Sequence, residues 1–431
     1  MLIFDNLHGY IEVSDLSKKI VDTHEFQRLK NIHQTGALYY VFPTAVHTRF
    51  EHSIGTYHLT GTLLQQIKSF QPELGLTDRL IELIKIGGLC HDLGHCSYSH
   101  TFDDLVLKKL SFYDDLGPEK HHEYRSLLLV KHIIKKYNIP IDDDEIQIIQ
   151  DIIYPQENKY DQWPEKYKIG KFLLDIVCNT RNNIDVDKFD YIARDNHAIG
   201  LKLGFDYTRL LQYARVVDDI ICYPKKIIED IYHLFFVRYR LYKQIYNHKA
   251  VVSIEVMLSD ILIDYIQKTN ILDADKLKDP NEIIKFTDHI FYLIRIQGFS
   301  PELFDRIDQR NIYTFIDQIK IDINCNLDKE KLLKLLTDNH NKDVGKEVFN
   351  QSDFLVKDLK VGYVGGNNPN PLDNIFFYDV KNPNTKYKVN KYDVSIVVSD
   401  DTYQERYIRY YCKKKVNINK DKAFLEKLCE S

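Results

Sequence analysis

The chain has 431 residues, a formal net charge of −5, 44% hydrophobic and 28% charged residues, which allows a large core plus a second lobe and fits an ordinary globular composition. The negative balance excludes a global positive field for non-specific nucleic-acid binding, and no apolar run approaches the roughly 20 residues of a membrane span. Seven cysteines without a C-x-x-C pair argue against a zinc ribbon or a disulfide frame and for reduced thiols. MLIFDNLHGYIEV lacks the basic segment, apolar run and cleavage site of a signal peptide, so the expected location is intracellular, cytoplasmic or nuclear.

Residues 1–13 alternate apolar and polar and predict a short strand or an ordered arm. From the cap residue Ser14, Leu16, Ile20, Phe26 and Leu29 recur at helical spacing and predict a helix over 14–34. An aromatic loop, TGALYYVFPTAVHTRFEHS, ends in Arg49, Glu51 and His52, and Leu59, Leu63 and Ile67 then mark another amphipathic helix. Thr77 and Asp78 ahead of Leu80, Leu83 and Ile84 predict a capped helix. It runs into IGGLCHDLGHCSYSHTFD (86–103), where His91, His95, His100, Asp92 and Asp103 crowd together. Gly87, Gly88 and Gly94 in that stretch allow close backbone approach.

PEKHHEYRS sets His121, His122 and Glu123 at the opening of a further helix, and 143–155 and 168–179 predict two more around Trp163 and Pro164. NIDVDKFDYIARD (183–195) holds Asp185, Asp187, Asp190 and Asp195. Asp187, Tyr191 and Asp195, four apart, line one helical face over roughly 12 Å. Residues 227–267 predict one or two long helices with Arg238, Tyr242 and Tyr246 on a single face, and 273–345 continue as Lys- and Asp-rich amphipathic helices. From 353 the period changes: DFLVKDLKVGYV, NIFFYDV, KYDVSIVVSD and RYIRYYCKK read as strands around a GGNNPNP loop (365–371). The expected fold class is therefore mainly α: a helical core over 1–348 and a smaller C-terminal α/β lobe over 349–431, with the boundary near 346–352.

Taken alone, His52 reads as a satisfied polar group opening a buried helix, and the aspartate face of 183–195 as a salt-bridged surface. Their value depends on company. His52, His91, Asp92 and Asp187 together offer two nitrogens and two carboxylates to one metal ion, and a metal that accepts six ligands then keeps room for water or a phosphate oxygen. Such an ion lowers the pKa of bound water and polarises a phosphoryl group. His95, His100 and His122 titrate near neutrality and can protonate a leaving oxygen. Arg49, Lys188 and Arg238 supply charge for a polyphosphate. No GxxxxGK[ST] loop or GxGxxG fingerprint is present. The residues point to a metal-dependent hydrolase of a phosphorylated small molecule.

The spacing His52, His91–Asp92, Asp187 resembles the HD-domain phosphohydrolase superfamily. The blocks DNLHGYIE, FQRLKNIHQTGALYYVFPTAVHTRFEHSIG, GLCHDLGHCSYSHTFD and RNNIDVDKFDYIARDNHAIG, followed by RYRLYKQIYNHK, DQRNIY and YYCKKK, resemble the deoxynucleoside triphosphate triphosphohydrolases. They are similar in particular to the animal antiviral branch, which carries a sterile-alpha-motif domain ahead of its HD domain. That extra domain is not expected here, because the matching blocks begin almost at the first residue. The resemblance implies an HD-domain core and hydrolysis of dNTPs to deoxynucleoside and inorganic triphosphate, by attack of activated water at the α-phosphorus. It implies one transition-metal ion (Fe, Mn or Zn) on His52, His91, Asp92 and Asp187, with Mg accompanying the nucleotide.

By the same resemblance, His95, His100, His122, Asp103 and Glu123 form the proton-handling group, with His100 the acid at the leaving 5′ oxygen. Arg49, Lys188, Tyr191 and Arg238 hold the triphosphate, Gln34 and Asp195 the sugar 3′-hydroxyl, and Tyr246 blocks the space of a 2′-hydroxyl. Thr35, Tyr242 and Asn247 depart from the family's apolar residue, histidine and glutamine near sugar and base. An activating nucleotide (GTP or a dNTP) bound between subunits of a tetramer is implied at Asp22, Gln27, Arg215, His248, Lys249, Arg310 and Lys413, with Lys30 in place of an arginine. Met1, Phe4, Pro224 and Thr314 stand where the family pattern has Lys, Asn, Arg and Lys, so activation is expected to be weaker or altered. The rival readings are another HD-type phosphohydrolase, a monophosphatase or phosphodiesterase, and a non-catalytic nucleotide- or nucleic-acid-binding HD protein. Nucleic acid is not expected as the main substrate, nor any membrane partner.

Overall fold

The computed structural model describes residues 1–325, 329–341, 349–364, 371–389 and 403–414, and its helices begin where capping residues stand ahead of apolar stripes. Thr48 and Glu51 form a reciprocal capping box that starts the long helix Arg49–Phe70, with Thr48 N donating to the Glu51 carboxylate at 2.8 Å. Thr77 accepts from Leu80 N at 3.2 Å to start Asp78–Cys90, and Asp185 accepts from Lys188 N at 3.0 Å to start Val186–Ile199. Around these pack His122–Lys136, Asp143–Ile153, Ile228–Leu241 and Lys249–Thr269. Their buried faces, among them Leu64, Leu83, Leu129, Ile149, Phe189, Phe235 and Met257, merge into one apolar core. No helix among the described residues is long and apolar enough to cross a membrane.

Several predicted elements differ in detail. Residues 14–34 do not form one helix. Asp15–Val21 ends at Asp22, and the Thr23 hydroxyl accepts from Phe26 N at 3.3 Å to start a new turn, His24–Gln27. A side chain that caps also interrupts. Over 168–179 only the short 3₁₀ turn Lys171–Asp175 forms, with Asp219 accepting from the backbone N–H groups of Lys171 and Phe172 at 2.9 and 3.1 Å. The N-terminal arm is a hairpin of β1 (Leu2–Asp5) and β2 (Gly9–Glu12).

A second hairpin, β3 (Arg215–Val217) and β4 (Ile220–Pro224), turns at Asp218 and Asp219, with φ of 46° and 64°. That turn chemistry matches two β-branched runs split by a pair of aspartates. β4 continues in parallel to β7 (Phe377–Asp379), which pairs with β8 (Asn382–Tyr387).

The expectation of helices throughout 273–345 fails at β5 (Thr314–Ile321), which pairs antiparallel with β9 (Gln404–Cys412) in a sheet ordered β5-β9-β6, with β6 spanning Phe354–Gly362. The β-branched and aromatic residues of TFIDQIKI prefer a half-buried pleated surface to the helical continuation suggested by the charges around them. Ile316, Phe354, Ile408, Tyr410 and Cys412 of this sheet bury against Leu336 of the helix Lys329–Asn341. Both sheets thus join strands from either side of residue 348. The strand expected at KYDVSIVVSD and most of the GGNNPNP loop lie outside the described residues.

Candidate active site

Three helix ends converge. His52 lies in the first turn of Arg49–Phe70, His91 directly follows Cys90 at the end of Asp78–Cys90, and Asp187 lies in the first turn of Val186–Ile199. His52 Nε2 is 3.3 Å from His91 Nε2 and 3.1 Å from Asp187 Oδ1, and His91 Nε2 is 3.4 Å from that same oxygen. Their outward nitrogens are engaged: His52 Nδ1 with Asp190 Oδ2 at 2.8 Å, and His91 Nδ1 with the Gly88 carbonyl at 2.7 Å. Both imidazoles therefore aim Nε2 inward, the arrangement that second partners impose on metal-binding histidines. Gly55 makes the approach possible, since a Cβ there would lie 1.9 Å from Asp190 Oδ1.

The electrostatics fit a cation. Burial opposes charging of His52, but Asp187 and Asp190 overcome it and raise its pKa to about 10. Burial likewise opposes ionisation of Asp187, yet His52 and His91 pull its carboxyl far below the usual range. A divalent ion held between them would displace protons and take over the positive role. The expected ligand Asp92 is adjacent: Oδ2 is 3.4 Å from His52 Nε2 and Oδ1 is 3.5 Å from His91 Nε2, while its carboxylate also accepts from Arg49 Nη1. His52, His91 and Asp187 are the tightest group, and Asp92 divides its charge between them and Arg49.

A second cluster leans on the first through Asp92, whose Oδ1 is 3.4 Å from His95 Nε2. The rings of His95 and His122 stack with centroids 3.7 Å apart, and His100 stands edge-on to His95 at 4.9 Å. Tyr98 and Ser99 turn the chain between them with φ of 55° and 57°, a conformation that costs energy in non-glycine residues. Surrounding bonds hold it: Asp288 accepts from Tyr98 N at 2.6 Å, and the Ser99 hydroxyl links the His33 carbonyl to Arg49 Nε. Gly94 lets the His122 helix close on this loop, since a Cβ would meet the His122 carbonyl at 2.0 Å. His122 Nδ1 pairs with Asp103 Oδ2 at 3.0 Å and lies 3.6 Å from Glu123, and Arg125 also grips Asp103. Burial, with Arg49 and His122 nearby, keeps His95 neutral well below its ordinary pKa.

Two of the substrate-binding candidates, Tyr191 and Asp195, continue along the helix that carries Asp187. Tyr246, in a π turn spanning Tyr242–Tyr246, donates to Asp195 Oδ2, whose Oδ1 is 2.7 Å from His47 Nε2. Arg238 donates to Tyr191 Oη at 3.1 Å and lies over the Tyr242 ring at 4.2 Å. Its Nη1 is committed to the Gly362 and Tyr363 carbonyls at 3.2 and 2.8 Å, which ties the end of β6 to this wall. Lys188 Nζ pairs with Asp185 Oδ2 at 2.8 Å. The Gln34 carbonyl accepts from Arg49 Nη2 at 3.4 Å, and the Gln34 side-chain oxygen is buried without a partner among the described residues.

The positions matched to activator binding are dispersed. Asp22 pairs with Lys18 at 2.7 Å, Gln27 donates to the Val21 carbonyl at 2.7 Å, and Lys30 lies over the Phe50 ring. Arg215 donates to the Pro383 carbonyl and to Asn384, Arg310 follows the helix Pro301–Asp308 with φ of 57°, and Lys413 pairs with Asp260 at 2.8 Å. His248 and Lys249 do meet, in a hollow of about 190 Å³ that Lys243, Asn247, Phe315 and Arg409 also line.

Sequence reasoning gave Asp190, His47 and Asp288 no role. Asp190 stands one turn after Asp187, which was the available signal. The partners of His47 and Asp288 lie far along the chain and left none.

An HD-domain family profile matches residues 49–195, the span that carries the metal-ligand candidates. The deoxynucleoside triphosphate triphosphohydrolase SAMHD1 homolog of Dictyostelium discoideum is 35% identical over 442 residues, covering 100% of this chain and 80% of that protein. The human deoxynucleoside triphosphate triphosphohydrolase SAMHD1 is 35% identical over 452 residues, covering 96% of this chain and 70% of its own length. A putative HD domain-containing protein, L394, of Acanthamoeba polyphaga mimivirus is 33% identical over 438 residues, covering 95% of this chain and 91% of its own. With its HD site assembled and relatives aligned along almost its whole length, the chain belongs to the SAMHD1 family of deoxynucleoside triphosphate triphosphohydrolases.

Proposed function

We infer that this chain hydrolyses dNTPs in a metal-dependent reaction that releases deoxynucleoside and intact inorganic triphosphate. The observation that carries the reading is the joining of two clusters by one carboxylate: Asp92 touches both the His52–His91–Asp187 group and His95. A cation held by His52, His91, Asp92 and Asp187 supplies an activated water and polarises the phosphoryl group.

The remaining steps belong to the chain's own side chains. Arg49 and Lys188, beside the ligand group, neutralise the triphosphate, and Arg238 with Tyr191 walls its far end. His100 is the exposed member of the histidine trio and delivers the proton to the leaving 5′ oxygen. His95, kept neutral, and His122, held by Asp103, relay that proton. Gln34 and Asp195 bind the 3′-hydroxyl, with His47 and Tyr246 fixing the Asp195 carboxylate. Tyr246 fills the space of a 2′-hydroxyl. The chain assembles as an oligomer, a tetramer on the family pattern, and GTP or a dNTP acts at the subunit interface with altered strength.

Turnover tests the reading. The purified chain, supplied with Mn(II) and Mg(II), should consume each dNTP and lose that activity on chelation. Turnover of nucleoside monophosphates or phosphodiesters, with no inorganic triphosphate from dNTPs, identifies the monophosphatase or phosphodiesterase rival. Nucleotide binding without any turnover identifies the non-catalytic one.

A further inference from the structure

The turn of the β1–β2 hairpin delivers His8, whose side chain is 1% exposed, into the back of the metal site. His8 Nε2 is 2.6 Å from Asp190 Oδ1, and the other oxygen of that carboxylate takes Nδ1 of His52 at 2.8 Å. Arg194 closes Asp190 from a third side, with Nε to Oδ2 at 2.8 Å and Nη2 to Oδ1 at 2.9 Å. Arg194 Nη1 reaches Asp5 Oδ2 at 2.9 Å, and Asp5 Oδ1 accepts the backbone N–H groups of Leu7 and His8 at 2.8 and 2.9 Å. The Tyr207 hydroxyl stands 2.9 Å from His8 Nδ1.

These partners orient both rings. A carboxylate only accepts, so His8 donates from Nε2 and takes the Tyr207 proton on Nδ1. With a cation bound, His52 would keep its proton on Nδ1 toward Asp190 and turn its Nε2 lone pair to the ion it shares with His91 and Asp187. If His8 is removed, Asp190 Oδ1 keeps one donor of two and the carboxylate gains freedom to rotate off His52. An imidazole so released can turn its Nε2 away from His91 and Asp187, where a cation would bind.

We propose that His8 is a positioning residue of the metal centre, holding His52 through Asp190 in the orientation a cation needs, with Tyr207 holding His8 in turn. The proposal rests on the reading of His52, His91 and Asp187 as metal ligands.

Chelator-stripped full-length chain titrated with Co(II), whose visible absorption reports ligand geometry, tests it alongside dGTP turnover. His8→Ala should weaken Co(II) binding by about tenfold or more, change the visible spectrum, and lower kcat with KM held within about twofold. His8→Gln, whose amide can still donate to Asp190, should recover most of the affinity, and Tyr207→Phe should lose about threefold. Wild-type Co(II) affinity and spectrum in folded His8→Ala protein overturn the proposal, as do equal losses in His8→Ala and His8→Gln. If His8→Ala does not fold, unchanged Co(II) affinity and spectrum in Tyr207→Phe overturn it. A wild-type chain that binds no Co(II) overturns the metal-ligand reading itself.

Discussion

The cluster around Asp92 and the positions matched to an activating nucleotide differ in how their charges are balanced. In the first, buried acids and bases face one another across a gap: His52, His91 and Asp187 crowd within 3.1–3.4 Å, backed by Asp190. In the second, the charges are met locally. Asp22 pairs with Lys18 at an exposed i,i+4 position, Lys413 pairs with Asp260, and Arg215 donates to a carbonyl. Buried carboxylates beside imidazoles that must give up their protons to ligate call for a cation to balance them, whereas surface pairs are worth little and yield easily. The first region is built to hold an ion in one chain. The second would become the proposed activator site only where subunits meet.

The largest effect should come from the first region. His91→Ala with Asp92→Ala removes an imidazole and the carboxylate shared with Arg49 and His95, and should abolish bound transition metal and cut dNTP turnover by roughly a thousandfold. Elemental analysis and circular dichroism check the two halves of that statement. Full metal occupancy in the folded double variant would remove these residues from the ligand set.

Deoxyribose selectivity is the next test. Tyr246 is anchored through Asp195 to His47, so Tyr246→Ala should narrow the kcat/KM gap between dGTP and GTP by about tenfold. An unchanged gap moves the wall elsewhere, with Thr35 the next residue to replace.

The second region should show itself in a nucleotide titration. Phe4 is 67% exposed and Thr314 opens β5, where the family pattern has asparagine and lysine. Each missing charge-assisted bond to phosphate costs about 1.5–3 kcal/mol at a buried interface, and about 1.4 kcal/mol is already tenfold. Activation by GTP should therefore need concentrations about tenfold or more above the low micromolar range. Light scattering combined with dCTP hydrolysis measures it. A monomer-to-tetramer switch with full activation at low micromolar GTP would contradict the expectation.

The smallest effect concerns the scaffold behind both regions. Burial opposes ionisation of Glu145, but Arg79 and Tyr167 hold its pKa at about 2, below the ordinary 4.5. A carboxyl depressed in the folded state contributes stability above its unfolded pKa and loses it as the pH falls from about 4.5 toward 2. Tm should drop over that window, and Glu145→Gln should flatten the part of the drop due to this pair. An identical pH profile in the variant would show that other carboxyls govern it.

The candidate site was legible in its residue types, with His91, Asp92, His95, His100 and Asp103 crowded into one stretch behind the cap Thr77, whereas the caps at the other two helices emerge only in the structure. Thr48 with Glu51, Thr77 and Asp185 mark where His52, the run into His91, and Asp187 begin. The mainly α class followed from the same stripes. What escaped lies in partners distant along the chain. Asp288 bonds Tyr98 across 190 residues of sequence and His47 meets Asp195 across 148, and no local period records either contact. β5 escaped because its strand pattern sits among lysines and aspartates that read as a solvated helix face, and only pairing with β9 decides it. The 14–34 segment failed for the opposite reason: Thr23 was a visible cap inside an apparently continuous stripe.

Hydrolysis of dGTP in H₂¹⁸O, with both products resolved by chromatography and mass spectrometry, tests the central claim most directly. Attack at the α-phosphorus predicts unlabelled deoxyguanosine and inorganic triphosphate bearing one ¹⁸O on a terminal phosphoryl group. Label in the deoxyguanosine 5′-hydroxyl, or release of dGMP with pyrophosphate, would contradict it.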